Sequence, residues 1–329
     1  MESLQNSLSG LDERGQRDLQ EYPSVFAVVL NWNSYEDTVE CIESLGRTTY
    51  PRLNIVLVDN GSTDGSGDKL SLFFSQLHVI RLSSNKGYSA GNNEGIRFAV
   101  GRGAQYVLII NNDTIVEPGF LEPMVKVAQS SADVGMVTCK AFFESDRQRT
   151  YGTGGYFSKV RCGGIPLPRR KQDQECEVNF ISGCILLVKK RVFEQSGFLN
   201  ERFFMYCEDM EFSFRVQECF KLMYTPRGVI YHKSGAGNRW WNYSEAYLFY
   251  NTRNKFLLFR EFPLWYRAYV CIYLFANSVA KTAAILLGAL GRGDFTGAIS
   301  KVRFLWKGFW RGLEGSEFSL EDELWHRKK

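Results

Sequence analysis

The 329-residue chain has eight cysteines but no Cys-x-x-Cys pair among them: Cys41, Cys139, Cys162, Cys176, Cys184, Cys207, Cys219 and Cys271 follow no regular spacing. That scatter argues against a zinc site and reads as buried or idle thiols in a reducing compartment. Two phosphate cradles are also missing. No GxGxxG follows the first strand-like run and no GxxxxGK[ST] occurs anywhere, which excludes an ordinary dinucleotide-binding fold and a P-loop NTPase. Met1 to Tyr22 is polar and charged with no apolar core, so no secretory signal is expected and the chain is expected in the cytosol. Neither sign of charge dominates: 40 Lys+Arg against 36 Asp+Glu gives +4. With 44% hydrophobic and 23% charged residues, wholesale disorder, collagen and a polytopic membrane protein are excluded.

What is present is unevenly spread. Residues 1–239 carry 27 basic and 28 acidic side chains, whereas residues 240–329 carry 13 and 8, with 21 of the 48 aromatics and six of the seven tryptophans. A basic, aromatic-rich tail reads as a contact with a membrane surface or a nucleic acid. The length suggests about two domains.

From Pro23 onward, short apolar runs alternate with helical patterns. Strands are expected at Val25–Asn31, Asn54–Asp59, His78–Leu82, Tyr106–Asn111 and Val134–Lys140. Helices are expected over Glu36–Leu45, with Ser34 and Asp37 as a capping box, over Ser89–Val100, and from Pro118. This alternation predicts an α/β fold with a mostly parallel sheet wound on both faces. After residue 141 come a Gly- and aromatic-rich stretch Tyr151–Gly164, a basic loop Pro166–Lys171, an apolar run Phe180–Lys189, a helix over Glu208–Phe220, and short strands Leu222–Thr225 and Val229–His232. From Ser244 the pattern is helical. Ala268–Leu290 has one charge, Lys281, set one turn from Asn277, which points to an interfacial or partly buried helix rather than a span.

In such a sheet, ligands bind at the carboxyl ends of the strands. Polar residues gather at those ends: Asn31 and Asn33, Asp59 and Asn60, Asn85 and Gly87, and Asn111, Asn112 and Asp113. A lone DNGSTD is as readily a capped turn; four strands ending alike argue for a site. Asp113 offers a carboxylate to a hard divalent cation that would share its charge with a diphosphate, or it caps the turn before Pro118. Glu208 and Asp209 open an amphipathic helix, where carboxylates are favoured by the dipole and can also serve as a general base. His232, one of three histidines, is either a metal ligand or a hydrogen-bonded loop residue.

In order along the chain, VVLNWN (28–33), VDNGSTDGS (58–66), NKGYSAGNN (85–93), IINNDT (109–114), FMYCEDMEFSFR (204–215) and VIYH (229–232) resemble inverting glycosyltransferases of family 2, in particular bacterial rhamnosyltransferase-like members. YNTRNKFLLFR (250–260) and GFWRGLEG (308–315) are similar to that subgroup's C-terminal region. The resemblance implies a GT-A fold: a polar tail (1–22), a nucleotide-sugar half (23–140), an acceptor half with the catalytic helix (141–240), and a helical membrane-associating region (241–329). It places Asp59 at the donor base with Asn31, Asn33 and Asn60 beside it, and Asn85 and Gly87 near base and ribose. Asp113 matches the last carboxylate of the DXD motif, whose first is here Asn111, and Asn112 between them is placed with the donor nucleotide. Asp209 matches the catalytic base, Glu208 a supporting carboxylate, and His232 a residue near the metal.

The implied reaction is transfer of a sugar, L-rhamnose first and galactofuranose or another hexose after it, from a dTDP- or UDP-sugar to a hydroxyl of a lipid-linked or polysaccharide acceptor. Mg²⁺ or Mn²⁺ would be the cofactor, no nucleic acid a partner, and the inner face of the cell membrane the location. The alternatives are a sugar-nucleotide nucleotidyltransferase and a non-catalytic carbohydrate-binding protein of the same fold.

Overall fold

The structure, a computed structural model, describes residues 22–233, 243–291 and 293–315. The tail expectation for residues 1–21 and the tryptophans at 240, 241 and 325 lie outside the described residues.

Alternating βα units build the first half. β1 (Val25–Asn31), β2 (Leu53–Asp59), β3 (His78–Arg81) and β4 (Tyr106–Asn111) are joined through α1 (Tyr35–Gly46), α2 (Ser66–Phe73) and α3 (Gly87–Gly101). They lie parallel in the order β3-β2-β1-β4. β5 (Thr114–Val116), α4 (Leu121–Gln129) and β6 (Val134–Phe143) follow; β7 (Asp146–Tyr151), β8 (Gly154–Ser158) and β9 (Gly163–Pro166) then run as hairpins. β10 (Cys176–Val178), β11 (Phe180–Ile181), β12 (Ile185–Lys189), α5 (Lys190–Ser196), α6 (Glu208–Gln217) and β13 (Lys221–His232) complete the α/β body. β12 inserts antiparallel between β4 and β6, and β13 lies parallel beside β6.

Both faces of the sheet are covered because β1 buries alternate residues on each. Val25, Ala27 and Val29 pack with Cys41, Ile42 and Leu45 of α1 and with Met124 and Val125 of α4. Val28 packs on the other side with Ile96 and Ala99 of α3, among Phe212 and Val216 of α6. Side chains alternate across a strand with period two, so the almost wholly apolar VFAVVL run is what a doubly covered strand requires.

Several local expectations are corrected. Ser34 caps α1, but its hydroxyl donates to Asp37 Oδ2 at 3.0 Å instead of accepting a backbone N–H. Asp37 in turn pairs with Lys233 at 2.8 Å. The helix expected from Pro118 starts at Leu121, because Pro118 and Gly119 first make a turn closed by Phe120 N donating to Glu117 O at 3.1 Å. Leu222–Thr225 and Val229–His232 are one strand, bulged between Thr225 and Val229. The Phe180–Lys189 run is broken at Ser182-Gly183-Cys184, so β11 joins a small sheet with β8 and β9 while β12 enters the central one.

Three helices close the described chain: α7 (Glu245–Leu258), α8 (Leu264–Leu290) and α9 (Phe295–Leu313). Gly308 lets α9 lie against α7, since a Cβ there would come within 2.4 Å of Phe249 O. Along α8, Tyr266, Val270, Leu274, Ser278, Lys281, Ile285 and Ala289 are buried, a stripe at three- and four-residue steps. The polar positions therefore turn inward: Lys281 is buried and Asn277 half-buried. Burial, then the charge of Lys255, pushes the Lys281 ammonium down to about 8. The outer face is apolar, with Leu264, Trp265, Ile272 and Leu287 between 67% and 76% exposed.

Candidate active site

β1 and β2 are paired in register up to Asn31 and Asp59, and Leu30 pairs with Asn111 of β4. Three strand ends thus bring their polar residues together by topology alone. Asn31 Nδ2 lies 3.1 Å from Asp59 Oδ1, and both residues are buried. Ser62 Oγ donates to the same oxygen at 2.5 Å. Thr38 of α1 bonds Asn31 Oδ1 at 2.9 Å and accepts from Asn112 Nδ2 at 2.8 Å. Gly67, at the start of α2, leaves room for the Asp59 carboxylate: a Cβ there would lie 2.1 Å from Oδ2. Asn33 holds a left-handed backbone (φ 52°), and its Oδ1 accepts from Thr63 N at 2.7 Å, closing the loop over Asp59.

Asn60 is spent on the neighbouring loop. Its Nδ2 donates to Asn85 Oδ1 at 2.9 Å and to Gly87 O at 3.1 Å, while its Oδ1 accepts from Lys86 N at 2.9 Å. Asn85 Oδ1 also accepts from Gly87 N. Gly87 needs its missing side chain, with φ 82° and a Cβ position only 2.5 Å from Phe204 O. Unmaking such buried amide bonds costs about 1–3 kcal/mol each, so this loop has one shape.

Beyond β4, Asp113 and His232 approach: Nε2 is 3.3 Å from Asp113 Oδ1 and 3.3 Å from Asn111 Nδ2. The ring stacks on Tyr151 with centroids 4.6 Å apart. Burial pushes the His232 imidazolium down, against the pull of Asp113. Apart from that imidazole, the buried Asp113 Oδ1 has no hydrogen-bond partner among the described residues, an anionic oxygen of the kind that a divalent cation satisfies. The donor set at this point is one carboxylate and one imidazole; among the described residues no group of three or more His, Cys, Asp or Glu is gathered as for a metal. The residues fit a cation whose other ligands come from a diphosphate and water.

Asp209 faces the same space from the first turn of α6. Its Oδ2 accepts from Gly183 N at 2.9 Å and its Oδ1 from Met210 N at 2.8 Å. Burial raises its carboxyl, and the backbone donors oppose that. Glu208 is 6% exposed, its Oε2 has no partner among the described residues, and burial followed by the Asp209 charge raises it well above the ordinary carboxylate range. The turn before them is strained: Phe204, Tyr206 and Cys207 all have positive φ, at roughly 1–3 kcal/mol each. Asn254 of α7 holds that turn, donating to Phe203 O, Met205 O and Tyr206 O at 2.9, 2.8 and 2.7 Å. The C-terminal helices therefore brace the acidic pair.

A cavity of about 320 Å³ is lined by Asn111, Asn112, Asp113, Glu208 and Asp209 together with Tyr88, Tyr151, Ser182, Gly183 and Tyr206. Residues 96 positions apart in sequence thus share one chamber. Asn31, Asn33, Asp59, Asn60, Asn85 and Gly87 do not line it; they form the adjoining edge at the ends of β1 and β2. Sequence reasoning missed Tyr88, whose hydroxyl donates to Gly183 O at 2.6 Å, although it stands inside NKGYSAGNN. It also missed Thr38, for which no local pattern gave a signal, and Ser62 and Asn254, which stand inside VDNGSTDGS and YNTRNKFLLFR without being singled out.

Residues 26–197 match the family described as Glycosyl transferase family 2. The chain is 32% identical over 193 residues to "Glycosyltransferase GlyG" of Streptococcus pneumoniae serotype 4, covering 56% of this chain and 62% of that protein. It is 27% identical to "Low-salt glycan biosynthesis hexosyltransferase Agl10" of Haloferax volcanii, over 58% of this chain and 60% of that one. It therefore spans less than two thirds of the length of either relative. An "N-acetylglucosaminyl-diphospho-decaprenol L-rhamnosyltransferase" of Mycobacterium tuberculosis is 25% identical, over 60% of this chain and 72% of its own. Among solved structures, a mannosyltransferase from Pyrobaculum calidifontis in complex with GDP-Man and Mn²⁺ superimposes at TM-score 0.54 and 16% identity, covering 89% of this chain and 87% of the other. GalNAc-T7 with UDP, GalNAc and Mn²⁺ does so at 0.55 and 14%, covering 73% and 49%. These two likenesses establish the GT-A fold.

Proposed function

Because the chain belongs to glycosyl transferase family 2, we propose that it is an inverting transferase that moves a sugar from a nucleoside-diphosphate donor to an acceptor hydroxyl. The observation that carries this reading is the single chamber shared by Asp113 and Asp209. One carboxylate has a buried oxygen that meets only the His232 imidazole among the described residues, and the other is held by two backbone donors.

In this reading the Asp59 pocket, with Asn31 and Asn33, receives the nucleobase, while Asn60, Asn85 and Gly87 shape the loop beside the ribose. Asp113, with Asn112 and His232 near it, would hold Mg²⁺ or Mn²⁺, which when bound neutralises the diphosphate leaving group. Asp209 takes the proton of the acceptor hydroxyl, which attacks the anomeric carbon from the face opposite the diphosphate, inverting it. Anchored by Gly183 and Met210, the carboxylate presents its remaining lone pairs in a fixed direction, so alignment contributes as much as basicity. Burial and the Asp209 charge favour the protonated form of Glu208, which supports Asp209 from beside it.

The rhamnosyltransferase relative supports L-rhamnose as donor sugar, with galactofuranose or another hexose next, and a lipid-linked or polysaccharide acceptor. The solved neighbours' UDP and GDP-Man support a nucleotide-sugar donor; we favour dTDP or UDP. The apolar outer face of α8 supports peripheral residence on the inner face of the cell membrane. Release of nucleoside diphosphate from a panel of dTDP-, UDP- and GDP-sugars, with and without Mg²⁺ or Mn²⁺, tests the reading. Release from none of them would overturn it.

A further inference from the structure

A second cavity, of about 520 Å³, lies next to the proposed reaction chamber and shares Tyr151 with it. The partition between them is thin: Ser182, on the chamber side, donates its N–H to Thr153 O, on the other side, at 2.8 Å. The walls of the second cavity are aromatic, with Phe143, Phe180, Tyr224 and Tyr247 beside Tyr151. Its polar groups are mostly committed to the protein. Tyr224 Oη donates to Gln172 O at 2.8 Å, and Lys140 Nζ is paired with Asp173 at 2.5 Å. Arg149 differs. It is exposed on β7, its guanidinium rests 4.6 Å over the Phe143 ring, and among the described residues it has no carboxylate partner.

Flat aromatic walls suit the apolar faces of sugar rings, and a planar guanidinium fork with open donors suits an oxyanion. We infer that this cavity is the acceptor subsite and that it takes an anionic glycoside: a saccharide carrying a phosphate or carboxylate group that Arg149 binds while the reacting ring lies along the Tyr151 side. The inference rests on the transferase reading for the direction of the reacting hydroxyl. The cavity's chemistry stands on its own residues. Arg149 is a specificity residue here, remote from the bond that is made.

Calorimetry on the full chain saturated with UDP tests this, with three probes below their micellar concentrations: octyl β-glucoside, octyl β-glucuronide and farnesyl diphosphate. The glucuronide should bind about tenfold more tightly than the neutral glucoside, the worth of one charge-assisted hydrogen bond. Arg149→Gln should abolish that preference and Arg149→Lys should restore part of it. Arg149 is exposed, so neither change should move the melting temperature. A preference for the glucuronide supports the anionic saccharide, whereas a preference for farnesyl diphosphate alone, which carries no sugar ring, overturns that assignment in favour of a lipid diphosphate. Equal affinity for all three probes, or a preference untouched by Arg149→Gln, overturns the inference. If UDP fails to bind while the charged-probe preference persists and depends on Arg149, the donor reading falls and the anionic cavity stands.

Discussion

Gly183 donates its backbone N–H to Asp209 Oδ2 at 2.9 Å, and this bond ties the acidic pair to the break between two strands. Gly183 lies in the break between β11 and β12, and Asp209 in the first turn of α6. Tyr88 fastens the same glycine from α3 through its carbonyl. With Met210 N on the other oxygen, Asp209 has two donors, whereas Glu208 Oε2 has none among the described residues. Two adjacent buried carboxyls do not both ionise readily, so the negative charge settles on the one with donors and the helix N-terminus behind it.

That partition supports Asp209 as the proposed base. Asp209→Asn should lower the transfer rate by about 10²–10⁴ and leave UDP affinity unchanged, because the amide keeps the shape but cannot take the proton. Steady-state transfer beside UDP calorimetry checks it. A normal rate in the variant would move the base elsewhere.

Glu208 is the opposite case, and its signature is in stability. Its carboxyl is raised from the ordinary 4.5, so folding favours the protonated form. The contribution is complete below about pH 4.5 and is lost as pH rises through the folded value. Glu208→Gln has no proton to lose. It should melt with the wild type at pH 4.5 and above it, by about 2 °C or more, at pH 8.5, a comparison that differential scanning calorimetry makes directly. Equal melting temperatures at pH 8.5 would show that Glu208 is ionised without penalty.

Much of this was legible in the chain because it is set by local periodicity. Apolar runs ending in Asn31, Asp59 and Asn111 fixed strands whose carboxyl ends must meet in a parallel sheet. The break at Gly183 was hidden inside an apolar run, since a two-residue strand and a five-residue strand in different sheets read as one. The Thr225–Val229 bulge had the reverse effect, splitting one strand in two. Asn254 was invisible for another reason: its amide acts 48 to 51 residues away, on the carbonyls of a turn that it holds in a left-handed conformation.

At the nucleotide edge, Gly67→Ala would put a methyl 2.1 Å from Asp59 Oδ2, so the carboxylate must swing away from Asn31 and Ser62. UDP affinity should fall about tenfold or more, with turnover at saturating donor little changed. Calorimetry and a donor-concentration series separate the two effects. Unaltered affinity would remove Asp59 from the nucleobase pocket.

Asp113→Ala removes the buried anionic oxygen. Added Mn²⁺ or Mg²⁺ should strengthen UDP binding to the wild type and have no such effect on the variant, while affinity in EDTA should be the same for both. A variant that still responds to metal would place the cation on other ligands.

The outer face of α8 is where the proposed membrane contact can be tested. Ile272 and Leu287 are 70% and 67% exposed, so a glutamate at either should leave the melting temperature in place. At a bilayer the same side chains would be buried. Each contributes about 1.5–3 kcal/mol by leaving water, and a glutamate adds repulsion from anionic lipid worth about 1 kcal/mol. Ile272→Glu/Leu287→Glu should therefore shift the protein from pellet to supernatant when it is sedimented with vesicles containing phosphatidylglycerol, with its hydrolysis of soluble donor intact. If the double variant still pellets with the vesicles, this face is not the one that meets the membrane, and the apolar stripe on α8 must be covered by something other than lipid.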